Sequence, residues 1–153
     1  MEYYKEVEVI WANLDANMHM GNTSYSEFAT HARVSFFNDF GYSLARLSKE
    51  GIGPILLKEE LVYWREVNMH EHLKVYVELD KASEDYSKYT LVQNIHRCSD
   101  GKKAARVTIH GAWLDLHTRQ LIKPPEQLVK MVIDNMNRTK NFKFVGMRDY
   151  MFF

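Results

Sequence analysis

Residues Trp11–Phe37 read WANLDANMHMGNTSYSEFATHARVSFF, and two patterns meet inside that stretch. Ala12 to Asn22 is rich in Asn, carries an Asp, a His and a Gly, and has no apolar period, so it reads as a loop. A helix follows. Ser24 and Glu27 have the spacing of a capping box, in which each side chain satisfies a free backbone N–H at a helix start. Tyr25, Phe28, Ala29, Ala32, Phe36 and Phe40 then recur at helical spacing, and Gly41 is a natural stop. The helix carries one long aromatic and apolar face, which has to pack against something broad.

Outside the stretch the period changes to that of strands. Before it, Val7, Val9 and Trp11 alternate with Glu6, Glu8 and Ile10, the pattern of a strand with one buried face. After it, Tyr42 to Lys49 suits a short helical turn ended by Gly51 and Gly53. Ile55 to Val67 reads as a long strand, Leu73 to Leu79 as a second and Tyr89 to Ile95 as a third, with Ser83-Glu84-Asp85 as a turn. Asp100-Gly101 marks a hairpin into a last long strand, Ala104 to Leu116. Pro124-Pro125 opens a short helix with Leu128, Val129, Val132 and Ile133 as its apolar face. Asn137 to Lys143 is basic and is expected to be mobile, within a peripheral C-terminal tail over 137–153. One long helix followed by consecutive antiparallel strands predicts an α+β fold, with a sheet wrapping the helix, in a single domain over 1–153.

Composition narrows the function classes. The 153 residues suffice for one domain with a sizeable core. Lys plus Arg equal Asp plus Glu, 20 of each, and nothing in that balance argues for nucleic acid or an anionic membrane as the main partner. Cys98 is the sole cysteine, so no intrachain disulfide can form, and a reducing compartment is the simplest reading. The start MEYYKEVEVIW lacks the features of a secretory signal, and no segment has the length of a membrane span. A cytoplasmic location is the expectation.

The quoted stretch resembles the signature of the 4-hydroxybenzoyl-CoA thioesterase-like family, a hotdog-fold group of acyl-CoA thioesterases. That signature runs aromatic-x-D/E-x-D-x-x-G-H-x-N-N-x-x-Y, then a helix with A/E-x-R-x-x-F-F. Asp15 matches the second acid, His19 the His, Asn22 the second Asn and Tyr25 the Tyr. Arg33 matches the helix Arg, and Phe36-Phe37 the aromatic pair. The likeness extends over roughly Val7 to Leu128. It departs at Asn13, where the family often has its first acid, at Met18 and Gly21, at Tyr63-Trp64-Arg65-Glu66, and near Glu71.

The resemblance implies hydrolysis of an acyl-CoA to acid and CoA, with no further cofactor and no metal. A carboxylate in a partly dry pocket can attack a thioester to give an anhydride, or take a proton from water. Asp15 is the acid of the loop and would do one or the other, while the Asn22 backbone N–H stabilises the oxyanion. His19 would support, and Tyr25 would support or belong to the core. Ser87, Lys88 and Tyr89 would contact CoA, with Arg65 a weaker candidate. The family places the site between two subunits, so a homodimer or homotetramer is expected.

Other readings stand beside these. Asp15 could simply close its own Asx turn. Asn22 could be an N-cap. Arg33 could hold a structural ion pair. His70, Glu71 and His72 invite a metal, but strand alternation puts His70 and Glu71 on opposite faces. Cys98 flanks a turn and has no evident activating partner. The chain could bind acyl-CoA without hydrolysing it. It could also be a 3-hydroxyacyl-thioester dehydratase, using His31 and Glu27 on the helix.

Overall fold

The computed structural model describes residues 2–146. Strand β1 (Tyr4–Glu8) leads through a single 3-10 turn, Trp11–Asn13, into the loop. Helix α1 spans Asn22–Asp39. It begins two residues before Ser24, with Gly21 at its cap in extended backbone (φ −78°, ψ 159°) and no side chain capping it. The expected Ser24–Glu27 capping box is therefore not the helix start. The loop's own hydrogen bonds fix the entry instead: the Gly21 N–H donates to the Asn13 carbonyl at 2.8 Å, and the Met20 N–H donates to the Val67 carbonyl at 2.8 Å. Ser24 sits inside the first turn, buried. The helix stops at Phe40, and Gly41 takes φ +96°, a conformation that favours glycine.

Tyr25, Ala29, Ala32, Phe36 and Phe37 form the buried face of α1. Trp11 does not join it. The strand ends at Glu8, Trp11 opens the 3-10 turn, and its ring is 69% exposed. Helix α2 (Leu44–Glu50) is capped by the Ser43 hydroxyl, which accepts the Arg46 N–H at 3.1 Å, and closes on Gly51 at φ +73°.

One seven-stranded sheet follows, made of β1 with β2 (Ile52–Tyr63), β3 (His72–Tyr76), β4 (Glu78–Ala82), β5 (Lys88–Arg97), β6 (Lys103–Asp115) and β7 (Arg138–Phe144). β2 pairs with β6, and β6 with β5. On the far side of β5, β3 pairs with its C-terminal part and β4 with its N-terminal part. β1 lies outside β3, and β7 lies outside β4. All pairings are antiparallel except β4 with β7. The alternation from Leu73 to Leu79 reads as one strand, but the structure divides it at Val77, whose N–H turns to the Tyr3 carbonyl.

The sequence Asn137–Lys143, expected as a mobile tail, is instead β7. The rings of Phe142 and Phe144 meet edge-on with centres 5.1 Å apart, and Arg138 lies 4.1 Å from the Phe142 ring centre while donating to the Tyr86 hydroxyl at 2.9 Å. Aromatic edge contacts and cation–π contact hold an otherwise charged strand to the sheet. Residues 147–153 of the expected tail lie outside the described part. Helix α3 (Glu126–Asn135) buries Leu128, Met131 and Val132, with Val129 half-buried. Ile133, expected on that face, is exposed and Met131 takes its place. None of the described helices is long and apolar enough to cross a membrane.

The core lies between α1 and the sheet, with Ala29, Ala32 and Phe36 in one buried cluster with Leu73, Val75, Ile95, Ala105 and Val107. One polar side chain is built into it. Gln93 is fully buried, donates its amide to the Ala29 carbonyl at 2.9 Å and accepts Arg33 Nη1 at 2.8 Å. This satisfies the buried amide and pins β5 to the middle of α1.

Candidate active site

The loop between β1 and α1 is a tight hairpin. Leu14 bridges Met20, the Asp15 N–H donates to the His19 carbonyl at 2.9 Å, and the Met18 N–H donates back to the Asp15 carbonyl at 3.0 Å. Met18 sits at φ +62° to close the turn. Asn13, at the position where an acid could have stood, ties this hairpin to the helix. Its side-chain oxygen accepts the Ile10 N–H at 2.9 Å, its amide nitrogen donates to the Ser24 hydroxyl at 3.2 Å, and that hydroxyl donates to the Asn13 carbonyl at 3.3 Å. Both ends of the amide are used, and a carboxylate could not donate to Ser24.

The hairpin brings Asp15 to the start of α1. A β-carbon on Gly21 would lie 3.4 Å from the Asp15 β-carbon, ordinary van der Waals contact, so the acid lies directly against the helix cap. Asp15 Oδ1 accepts the Asn17 N–H at 2.8 Å, which is the Asx turn of the simpler reading. Oδ2 accepts no hydrogen bond among the described residues. The N–H groups of Asn22 and Thr23, the first two of the helix, also have no partner among the described residues. Free N–H groups at a helix N-terminus carry partial positive charge and suit a developing oxyanion.

Beside this lies an open cleft of about 370 Å³, lined by His19, Met20, Asn22, Tyr25, Tyr63, Trp64, Arg65 and Glu66. The far wall exists because the chain leaves β2 after Tyr63. The N–H groups of Trp64 and Arg65 both donate to the Ala104 carbonyl, at 2.8 and 3.1 Å, and Val67 then reaches the Met20 N–H. Tyr25 is buried, with its ring edge-on to Tyr63 at 5.0 Å. Burial, then the fields of Tyr63, Asp15 and Glu71, push the Tyr25 hydroxyl pKa up to about 12. Tyr25 therefore keeps its proton at neutral pH and can act as a donor. His19 Nε2 lies 3.2 Å from Glu66 Oε2.

The structure thus gathers His19, Asn22, Tyr25 and Arg65 around one cleft and sets Asp15 against the adjoining helix cap. Ser87, Lys88 and Tyr89 are not part of its lining. The Ser87 hydroxyl donates to Asp85 at 2.6 Å, Lys88 is buried, and the Tyr89 ring lies over Gly111 and 5.9 Å from Trp113. Tyr89 instead borders a second cavity, of about 170 Å³, between α1, α2 and β2. Phe37, Leu47, Ile55 and Leu91 make it apolar, and Arg33 stands in its wall.

Arg33 forms no ion pair among the described residues. It donates to neutral Gln93 and, through Nη2, to the Thr30 hydroxyl at 3.0 Å, and burial lowers its pKa. The expected structural ion pair is replaced by a structural amide contact. His70 and His72 each lie 3.5 Å from an acid of β1, Glu8 and Glu6. Burial, then Glu6, raises the Cys98 thiol pKa, which is the opposite of activation. Glu27 and His31 are both exposed.

Glu66 and Tyr63 line the site but were not singled out from sequence. They are far from the loop along the chain, and nothing local marks them. The departure of Tyr63–Glu66 from the resembled signature was the available signal.

One long helix packed on a mostly antiparallel sheet, with the loop acid Asp15 beside the helix cap, makes an α+β domain. Residues 9–132 match the model of the thioesterase-like superfamily, and the chain belongs to that family. No curated protein matches it in sequence. Solved structures share the fold at low identity. One is a Staphylococcus aureus protein in complex with CoA (TM-score 0.81, 19% identity, 95% of this chain and 89% of that one). Another is a 1,4-dihydroxy-2-naphthoyl-CoA thioesterase from Synechocystis (TM-score 0.79, 16% identity, 88% and 98%). A third is a DHNA-CoA thioesterase from Staphylococcus aureus (TM-score 0.78, 18% identity, 87% and 89%).

Proposed function

We propose that the protein hydrolyses an acyl-CoA thioester to the free acid and CoA. The observation that carries this reading is the placement of Asp15 against Gly21, beside the N–H groups of Asn22 and Thr23, which have no partner among the described residues. The thioester carbonyl oxygen lies toward the helix N-terminus. Asp15 then either attacks the carbonyl carbon, expelling CoA thiolate to leave an anhydride that water opens, or removes a proton from the attacking water. Tyr25 offers a proton-donating hydroxyl at the same cleft, and His19, held by Glu66, supports the loop. The apolar cavity behind Phe37 and Ile55 suits the acyl group. The site is shared between two copies of the chain, as in the family that the sequence resembles.

The test is release of free thiol from a panel of acyl-CoAs by the wild type and by Asp15→Asn. Removing a nucleophile or general base should lower kcat by about a hundredfold or more. Equal turnover by the two proteins refutes the assignment. Tight binding of acyl-CoA by the wild type without thiol release favours the reading as a non-hydrolysing acyl-CoA binder. That reading draws on Asn13, whose amide is committed to the loop and leaves Asp15 without a second acid.

A further inference from the structure

The far wall of the cleft continues onto a patch that the proposed chemistry does not use. Trp64 ends the wall, and its ring is 48% exposed. Lys103 Nζ lies 5.1 Å and the Arg106 guanidinium 5.3 Å from the centre of that ring. Arg65 joins them through a hydrogen bond from Nη1 to the Lys103 carbonyl at 2.6 Å.

Three cations converge here, and none of them forms an ion pair with a carboxylate among the described residues. Arg106 Nε meets the neutral Asn94 side chain at 3.2 Å, and Arg65 gives only its Nη1 to a carbonyl. The acid of the cleft, Glu66, faces His19 instead. Burial, then the like charge of Arg106, lowers the Lys103 pKa. A chain whose charges sum to zero has thus concentrated positive charge at one place, against electrostatic cost. Cations set around an exposed indole suit a ligand with both a flat base and phosphates, since a base stacks on an aromatic face while phosphates take charged donors.

We propose that Trp64, Lys103 and Arg106 form the subsite for the nucleotide end of CoA, a 3′-phosphorylated adenosine diphosphate. The adenine lies on Trp64, the 3′-phosphate is taken by Lys103 and Arg106, and Arg65 faces the diphosphate. This rests on the reading of the substrate as a CoA thioester, and it assigns the nucleotide to this patch rather than to Ser87, Lys88 and Tyr89.

The experiment is calorimetric binding of CoA, dephospho-CoA and adenosine 3′,5′-diphosphate to the full chain. Wild type should bind CoA about tenfold more tightly than dephospho-CoA, the scale of hydrogen bonds to a charged group. The double variant Lys103→Gln/Arg106→Gln should bind the two alike, and should lose the free nucleotide. Trp64→Leu should weaken both CoA forms by a similar factor and leave their ratio standing. A double variant that keeps the wild-type preference overturns the subsite, even if CoA binds well. Failure of wild type to bind CoA at all overturns the CoA reading itself, and retained binding of the free nucleotide by the double variant counts against the patch in either case. Each variant is compared at equal melting temperature. If the double variant melts early, the single changes at Lys103 and Arg106 carry the same comparison.

Discussion

At the scale of single residues, the loop divides its labour between two neighbours that look alike. Asp15 carries a carboxylate oxygen without a hydrogen bond among the described residues, beside the helix cap, while Asn13 spends both ends of its amide on Ile10 and Ser24. Restoring an acid by Asn13→Asp should therefore not improve activity. It should leave the Ser24 hydroxyl facing a carboxylate that can only accept, and lower stability by about 1–3 kcal/mol. Thermal or urea unfolding measures this, and an unchanged midpoint with raised turnover would show that the position still works as an acid. The place of Asp15 was legible from its spacing to His19, Asn22 and Tyr25. The work of Asn13 was not, because its partner is a helix residue whose hydroxyl reads locally as a cap. The pairing of His19 with Glu66 was hidden too, since strand β2 has to end before Glu66 arrives.

At the scale of elements, β5 and β6 meet where a large ring needs a missing side chain. Tyr89 pairs with Gly111 across the ladder, and a β-carbon on Gly111 would fall 2.6 Å from Tyr89 Cζ. Tyr89 is buried, with its ring centre 5.9 Å from that of Trp113, so its ring has to shift to admit the added carbon. Gly111→Ala should destabilise the protein by about 1–3 kcal/mol through overpacking, read as a lower unfolding midpoint. It should also disturb the apolar cavity that Tyr89 borders. Strands β5 and β6 and the hairpin at Gly101 followed from alternation and turn chemistry, which are local. The two ends of the quoted stretch show the limit. Gly41 ends α1 through its own backbone freedom, as expected, but the start of α1 is set by Asn13 and Val67, which no capping pattern reports. The strand in Arg138–Phe144 was obscured for the same reason. Its lysines read as a solvated segment, while Phe142 and Phe144 find partners on Tyr86 and Arg138 only once α3 has turned the chain back.

At the scale of the whole molecule, the sheet has unequal sides. The outer edge of β2 pairs with no described strand, and β2 is 12 residues long. Such an edge has to be paired, covered or charged. The expected outcome is a dimer at micromolar concentration by sedimentation equilibrium, and a monomer there would count against a site shared between copies. The opposite side behaves differently. It ends in β1 and β7, of 5 and 7 residues, with Lys5, Glu6, Lys140 and Lys143 along them. Short, charged borders resist further strand addition. An assembly joined through β2 would have no free long edge left once the two had met: the same geometry that would complete a catalytic pair would also end growth along the sheet, and would keep a sheet-rich protein from extending into filaments.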